Sequence, residues 1–179
     1  MKVILTILVL FVTSSIYCQT YEFLNQFLAE NDDNIIYLDN NFQSLNTNRK
    51  VVKYLNNKYF TDNWRPLPSN KIPSINEFLD QVDLSHLGAI ARADSPKDKI
   101  DFKQLSPNIV DKENLDLSSQ NSFNYLVISK PYFSCSKNWV IIYGYSVYSV
   151  DTANSGYFYI YRKMNNKWVY YHKLELWMS

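Results

Sequence analysis

Cys135 and His172 are the residues best suited by type to nucleophilic chemistry, since a nearby imidazole draws a thiol toward the reactive thiolate. Cys135 falls in a turn pattern and His172 within a strand pattern, and no family signature surrounds the cysteine. They read as a turn thiol and a sheet-face imidazole, while His86 belongs to the helical half. With two His and two Cys in the chain, the short ligand intervals of zinc sites do not occur. Asp32, Asp33, Asp151 and Asn154 offer oxygen ligands without the spacing of a calcium loop, so neither a metal nor a cofactor is expected. Glycoside hydrolysis needs two carboxyl groups facing one bond. Glu175 is the sole acid inside the C-terminal strand pattern, and Glu77, Asp80 and Asp83 fit helix ends. Three glycines form no phosphate loop, nucleophile elbow or dinucleotide fingerprint. These readings lean away from catalysis.

Aromatic side chains are the remaining chemistry. Sixteen of the 29 lie in residues 123–179, which makes that segment the place to look for a binding surface. Tyr and Trp combine a large rigid contact area with a polar tip, the combination that protein interfaces use and that stacking on sugar rings also needs. The candidates are Tyr145, Tyr148, Tyr157 and Tyr159 near one turn, with Trp64 in a separate loop. The same residues also suit the core of a sheet built without disulfides.

Those side chains must be placed by elements that the sequence outlines. Phe23, Leu24, Phe27 and Leu28 share one side of a helix over residues 21–30. Ile35–Leu38 reads as a strand or as part of a second helix. Thr47 caps a helix to Tyr59 with Val51, Tyr54 and Leu55 in a stripe, and Ser74 with Glu77 forms a capping box ahead of Phe78, Leu79 and Val82. Asp83 or Ser85 opens a short helix, and the polar stretch Asp94–Ser122 reads as a surface excursion. From Phe123 the pattern changes to strands over Phe123–Phe133, Trp139–Ser149, Tyr157–Met164 and Lys167–Met178, joined by turns that include Asn165-Asn166. Alternation groups Trp139, Ile141, Tyr143 and Tyr145 against Val140, Ile142 and Tyr148, and puts Trp168, Tyr170, His172, Leu174 and Leu176 on one face.

The N-terminus, Lys2 followed by the apolar run Val3–Val12 and then Thr13, Ser14 and Ser15, reads as a secretory signal peptide over residues 1–18. Cleavage after Cys18 leaves Gln19 first and no membrane span. A lipid anchor on Cys18 is the alternative, disfavoured by the bulky Tyr17 before it. The formal charge of the whole chain is +1 and gives no basic excess for nucleic acid. Residues 19–122 carry 11 basic and 15 acidic groups and residues 123–179 six and two, so the two parts are electrostatically complementary.

The run Ile128–Ser134, the strand Trp139–Tyr143 and the hairpin Tyr159–Lys163 with Asn166-Lys167-Trp168 together resemble a pattern of small exported proteins of Bacteroidetes. The resemblance covers about a third of the chain. It implies export and a meander and carries no activity. A cysteine pair of that pattern is missing here, where Tyr145, Ser149 and Ser155 occupy the region. The expectation is therefore one α+β domain over residues 19–179, with N-terminal helices (19–122) packed on a four-stranded C-terminal antiparallel β-meander (123–179). Its expected role is a non-enzymatic binding or interaction module, periplasmic, cell-surface or secreted, taking a protein or saccharide partner on its aromatic sheet face. The alternative is a small hydrolase or transferase with a helix–sheet cavity that includes His172.

Overall fold

The computed structural model describes residues 18–30, 36–45, 53–64, 74–93, 98–115, 124–148 and 155–178. Along them run α1 (described over residues 18–29), β1 (Ile36–Leu38), α2 (Asn57–Asn63), α3 (Ile75–Leu79), α4 (Leu84–Ala93), β2 (Ile109–Asp111), β3 (Asn124–Ile128), β4 (Tyr132–Phe133), β5 (Trp139–Tyr148), β6 (Ser155–Met164) and β7 (Lys167–Met178). The signal-peptide reading rests on residues of which 1–17 lie outside this set. So do the predicted helix start at Thr47 and the turn residues Asp151–Asn154.

The class is α+β, and β5, β6 and β7 are antiparallel neighbours as the turns predict. Asn165 and Asn166 close the β6–β7 hairpin at φ 49° and 61°, left-handed backbone that asparagine tolerates. Two parts of the expected architecture are corrected. Among the described residues the sheet has seven strands, ordered β2-β1-β3-β5-β6-β7 with β4 also beside β5, and it is mixed, because β1 runs parallel to both β2 and β3. The helices are accordingly interleaved with strands and do not form a separate N-terminal block. The stretch read as a surface excursion supplies β2 and buries Ile100, Leu105, Ile109 and Leu115. Strands of three residues are too short to display a period, which is why β1 and β2 leave no clear signature.

The predicted strand Phe123–Phe133 is split into β3 and β4, which follow one another along the same side of β5. Serine hydroxyls bridge the break. Ser129 N–H donates to the Tyr143 carbonyl (2.8 Å) while Tyr143 N–H donates to Ser129 Oγ (3.0 Å), so a side chain replaces a ladder carbonyl. Ser134 repeats the device on Trp139. Ser129 is fully buried. Ser129→Ala therefore strands the Tyr143 N–H, and urea denaturation is expected to show a loss of about 1–3 kcal/mol. A loss within error of zero would mean that the hydroxyl is not a member of the ladder.

Helices cover both sheet faces. On one, Phe60, Phe78, Val82 and Leu87 of α2–α4 and their connections pack on Trp139, Ile141, Tyr143, Phe158, Ile160 and Leu174. On the other, Phe23, Leu24, Phe27 and Leu28 of α1 pack on Val140, Ile142, Tyr161 and Trp168. The alternation predicted for β5 holds, and that for β7 does not. A register shift between Ile160 and Tyr161 leaves Tyr171 extra in β7. One inserted residue reverses every side chain beyond it. Trp168 and Tyr170 thus join the α1 face, where Tyr170 meets Tyr161 at 5.6 Å, while His172, Leu174 and Leu176 lie on the face of α2–α4.

Local caps fix the helices. Ser74 Oγ accepts from Glu77 N–H (3.3 Å), and Asp83 Oδ1 accepts from the N–H groups of Ser85 and His86 (3.0 Å each). Glu77 is not reciprocal, because its carboxylate pairs with Arg162 (2.5 Å) and accepts from Tyr171 Oη (3.2 Å). Arg162–Glu77 and Lys130–Asp98 both join residues 123–178 to the preceding part, in line with the charge asymmetry.

Candidate tyrosine-lined binding site

α1 ends at Ala29, but the sheet face beneath it continues. Phe27, in its last turn, stands edge-on to Tyr159 (5.4 Å) and Tyr161 (5.9 Å). Beyond it opens a recess of about 310 Å³ lined by Phe27, Glu30, Tyr159, Tyr161, Tyr170 and Lys173. Leu126 of β3 and Ser146 of β5 form its far side, so it crosses four adjacent strands. Gly144 of β5 lies beside the Tyr159 ring. A Cβ there would lie 3.5 Å from Ile128 Cγ2, Tyr159 Cε2 and the Val127 carbonyl, in ordinary contact with each.

The polar groups of the recess differ in how far they are committed. Tyr161 Oη donates to Glu30 Oε2 at 2.5 Å. Burial, followed by that carboxylate, pushes the Tyr161 phenol far above its ordinary range. Burial and the neighbouring Tyr157, Tyr170 and Tyr148 push Tyr159 up to about 12, and burial with Glu30 raises Tyr170. All three are therefore neutral hydroxyls at physiological pH. Neither the Tyr159 nor the Tyr170 hydroxyl makes a hydrogen bond among the described residues. The Lys173 ammonium lies 4.7 Å from the centre of the Tyr157 ring.

The structure divides the five sequence candidates between the two sheet faces. Tyr159 lines the recess, and Tyr157 adjoins it at 5.8 Å. Tyr148 lies two residues beyond Ser146 on the same face and is 43% exposed, enough for a ring to present its surface to a ligand. Tyr145 instead packs beside Tyr143 at 5.8 Å, and Trp64 beside Phe78 at 5.6 Å, both on the face of α2–α4. The candidates missed from sequence are Tyr161, Tyr170, Glu30 and Lys173. Tyr161 was available from its spacing of two from Tyr159; the β7 bulge hid the other strand's contribution.

His172 sits on the opposite face, 1% exposed, its ring 4.1 Å from that of Trp64. Neither ring nitrogen has a hydrogen-bond partner among the described residues, and burial holds the imidazole down at about 4. Cys135 lies in the exposed turn after β4. A thiol in solvent and a sealed imidazole do not make an ion pair. A wider recess of about 500 Å³ lies at the corner of α2, α3 and α4. Three of its polar side chains are already engaged: Asn56 caps α2, Asp83 caps α4, and Gln81 Oε1 accepts from Trp139 Nε1. Among the described residues no three His, Cys, Asp or Glu side chains gather as metal ligands, and no helix is long and apolar enough to cross a membrane. Asp32, Asp33, Asp151 and Asn154 lie outside those residues. Comparison of the chain with family models, curated proteins and solved structures finds no match.

Proposed function

We propose that this protein is an exported, non-enzymatic binding module whose ligand seats in the tyrosine-lined recess beyond α1. One observation carries the reading: the exposed Tyr170 ring, the Tyr159 and Tyr170 hydroxyls, which make no hydrogen bond among the described residues, and two opposite charges converge on a concavity of about 310 Å³. Binding sites are usually such concavities, aromatic in lining with a few convergent polar groups. Export is supported by the basic-then-apolar N-terminal run and the resemblance noted above. The hydrolase reading centred on His172 has less support, since that imidazole faces Trp64 and carries no carboxylate partner.

A thermal-shift screen of saccharides and peptides tests the proposal. A ligand that binds only the folded protein adds about 2.7 kcal/mol of stability at a hundred times its Kd. The expected result is a hit whose shift disappears in the double variant Tyr148→Ala, Tyr170→Ala, both partly exposed positions. A hit with an undiminished shift in that variant would place binding elsewhere and overturn the reading.

A further inference from the structure

The recess narrows its own choice of ligand. Its length, from Tyr170 and Lys173 on β7 to Leu126 on β3, spans three strand spacings, about 14 Å at the usual separation of neighbouring strands. That suits an elongated ligand lying across the strands more than a single small molecule. Among the described residues its rim charges are one carboxylate, Glu30, and one ammonium, Lys173, and these two balance. Tyr159 and Tyr170 supply neutral hydroxyls able both to donate and to accept, beside ring surface that packs against C–H groups. The second oxygen of Glu30 is a further free acceptor among the described residues.

The adjoining sheet edge argues against a peptide strand. β7 is the last strand of the sheet, the usual place for a peptide to add by main-chain pairing. Here side chains occupy the outward groups at two positions, Trp168 and Glu175. Gln26 of α1 accepts from Trp168 N–H (3.0 Å) and donates to the Trp168 carbonyl, taking the part of one residue of a neighbouring strand. Tyr59 Oη donates to the Glu175 carbonyl at 2.9 Å. The free edge is thus interrupted on both sides of Tyr170 and Lys173.

From the length, the phenol hydroxyls that line it, the balanced rim charges and the interrupted edge, we infer that the recess takes an uncharged oligosaccharide lying across β7, β6, β5 and β3. Sugar rings stack on Tyr170 and Tyr159 and exchange hydroxyl hydrogen bonds with Glu30, Lys173 and the phenols. This inference rests on the reading of the recess as the binding site.

Calorimetric titration of the full chain tests it with neutral gluco-, manno-, xylo- and chito-oligosaccharides, their monosaccharides, an oligouronate and a pool of extended peptides. At least one neutral oligomer is expected to bind, and at least about tenfold tighter than its monosaccharide. Tyr170→Ala should weaken it about tenfold, the loss of roughly one aromatic contact. Glu30→Gln should weaken it as well, with both variants melting cooperatively. Tyr148→Ala, at an exposed position, serves as a second probe if Tyr170→Ala misfolds. No binding by any neutral oligomer would overturn the inference. An oligouronate or peptide that binds and is lost in Tyr170→Ala would overturn the saccharide class while leaving the recess as the site. A neutral oligomer indifferent to Tyr170, Tyr148 and Glu30 would overturn both.

Discussion

Truncating Phe78 to alanine is expected to remove about 3–5 kcal/mol of folding stability, the range for deleting a buried aromatic ring. Phe78 is fully buried and stacks on Phe60 (5.5 Å, interplanar 7°) and Trp64 (5.6 Å), with the Trp139 ring edge-on at 5.4 Å. It is the buried anchor of α3, a helix of five residues that cannot hold itself together in water and persists through tertiary packing. The cavity would open between α2 and the sheet, where neither the Phe60 nor the Trp139 ring is free to collapse into it. A domain of this size has about 5–15 kcal/mol in total, so such a loss leaves little margin. Urea denaturation provides the check, with Phe78→Leu as the milder comparison. A loss below about 1 kcal/mol for alanine would mean that α3 does not depend on this ring.

The second large effect concerns acid. In the folded protein the His172 imidazole is held down at about 4 by burial, against 6.5 for an ordinary histidine. Between those values the unfolded chain binds a proton that the folded chain does not, so stability rises with pH across this window. Read downward, stability is complete above about pH 6.5 and falls toward pH 4, with a total loss of at most about 3 kcal/mol from this group. The charged groups on the surrounding elements are Lys58 and Asp62 of α2, Glu77 of α3, Arg162 and Lys163 of β6, and Lys167, Lys173 and Glu175 of β7, and none of them hydrogen-bonds the ring. His172→Leu removes both the titration and two buried polar atoms without partners. It gives up the contact with Trp64, worth about 0.5–1.5 kcal/mol, against about 1–3 kcal/mol for each unsatisfied polar group. The variant should therefore be at least as stable as the parent at neutral pH and clearly more stable near pH 4. Denaturation midpoints measured across that range decide it; an unchanged acid slope in His172→Leu would assign the slope to other groups.

Features set by neighbouring residues were legible in the sequence, and those set by distant ones were not. Asn165-Asn166 announced a hairpin because two adjacent residues must both enter left-handed backbone. Ser74 announced a helix start because its acceptor is three residues away. The alternation of β5 assigned Trp139 and Val140 correctly to opposite faces, since ten continuous residues carry a period. The same alternation failed on β7, where the inserted Tyr171 has no local mark and reverses Trp168 and Tyr170 relative to His172. β1 and β2 became strands only by pairing with residues more than seventy positions apart, Ile36 with Ile109.

The candidate site followed the same division. Aromatic density drew attention to Tyr148, Tyr157 and Tyr159, which the fold places on one face. Tyr145 was separable from Tyr148 by odd spacing on a single strand. Trp64 has the sequence setting of an aromatic in a loop, but as the residue that closes α2 it is committed to Phe78 and His172. Glu30 could not be foreseen, because it meets Tyr161 across 131 positions of sequence.

The binding reading meets its most direct test in amide chemical-shift mapping of the protein titrated with the strongest hit from the saccharide and peptide screen. The largest shifts are expected on Phe27–Glu30, Tyr159–Tyr161 and Tyr170–Lys173, the segments that line the recess. Shifts concentrated instead on Trp64 and the α3–α4 corner, with those three segments unmoved, would contradict it.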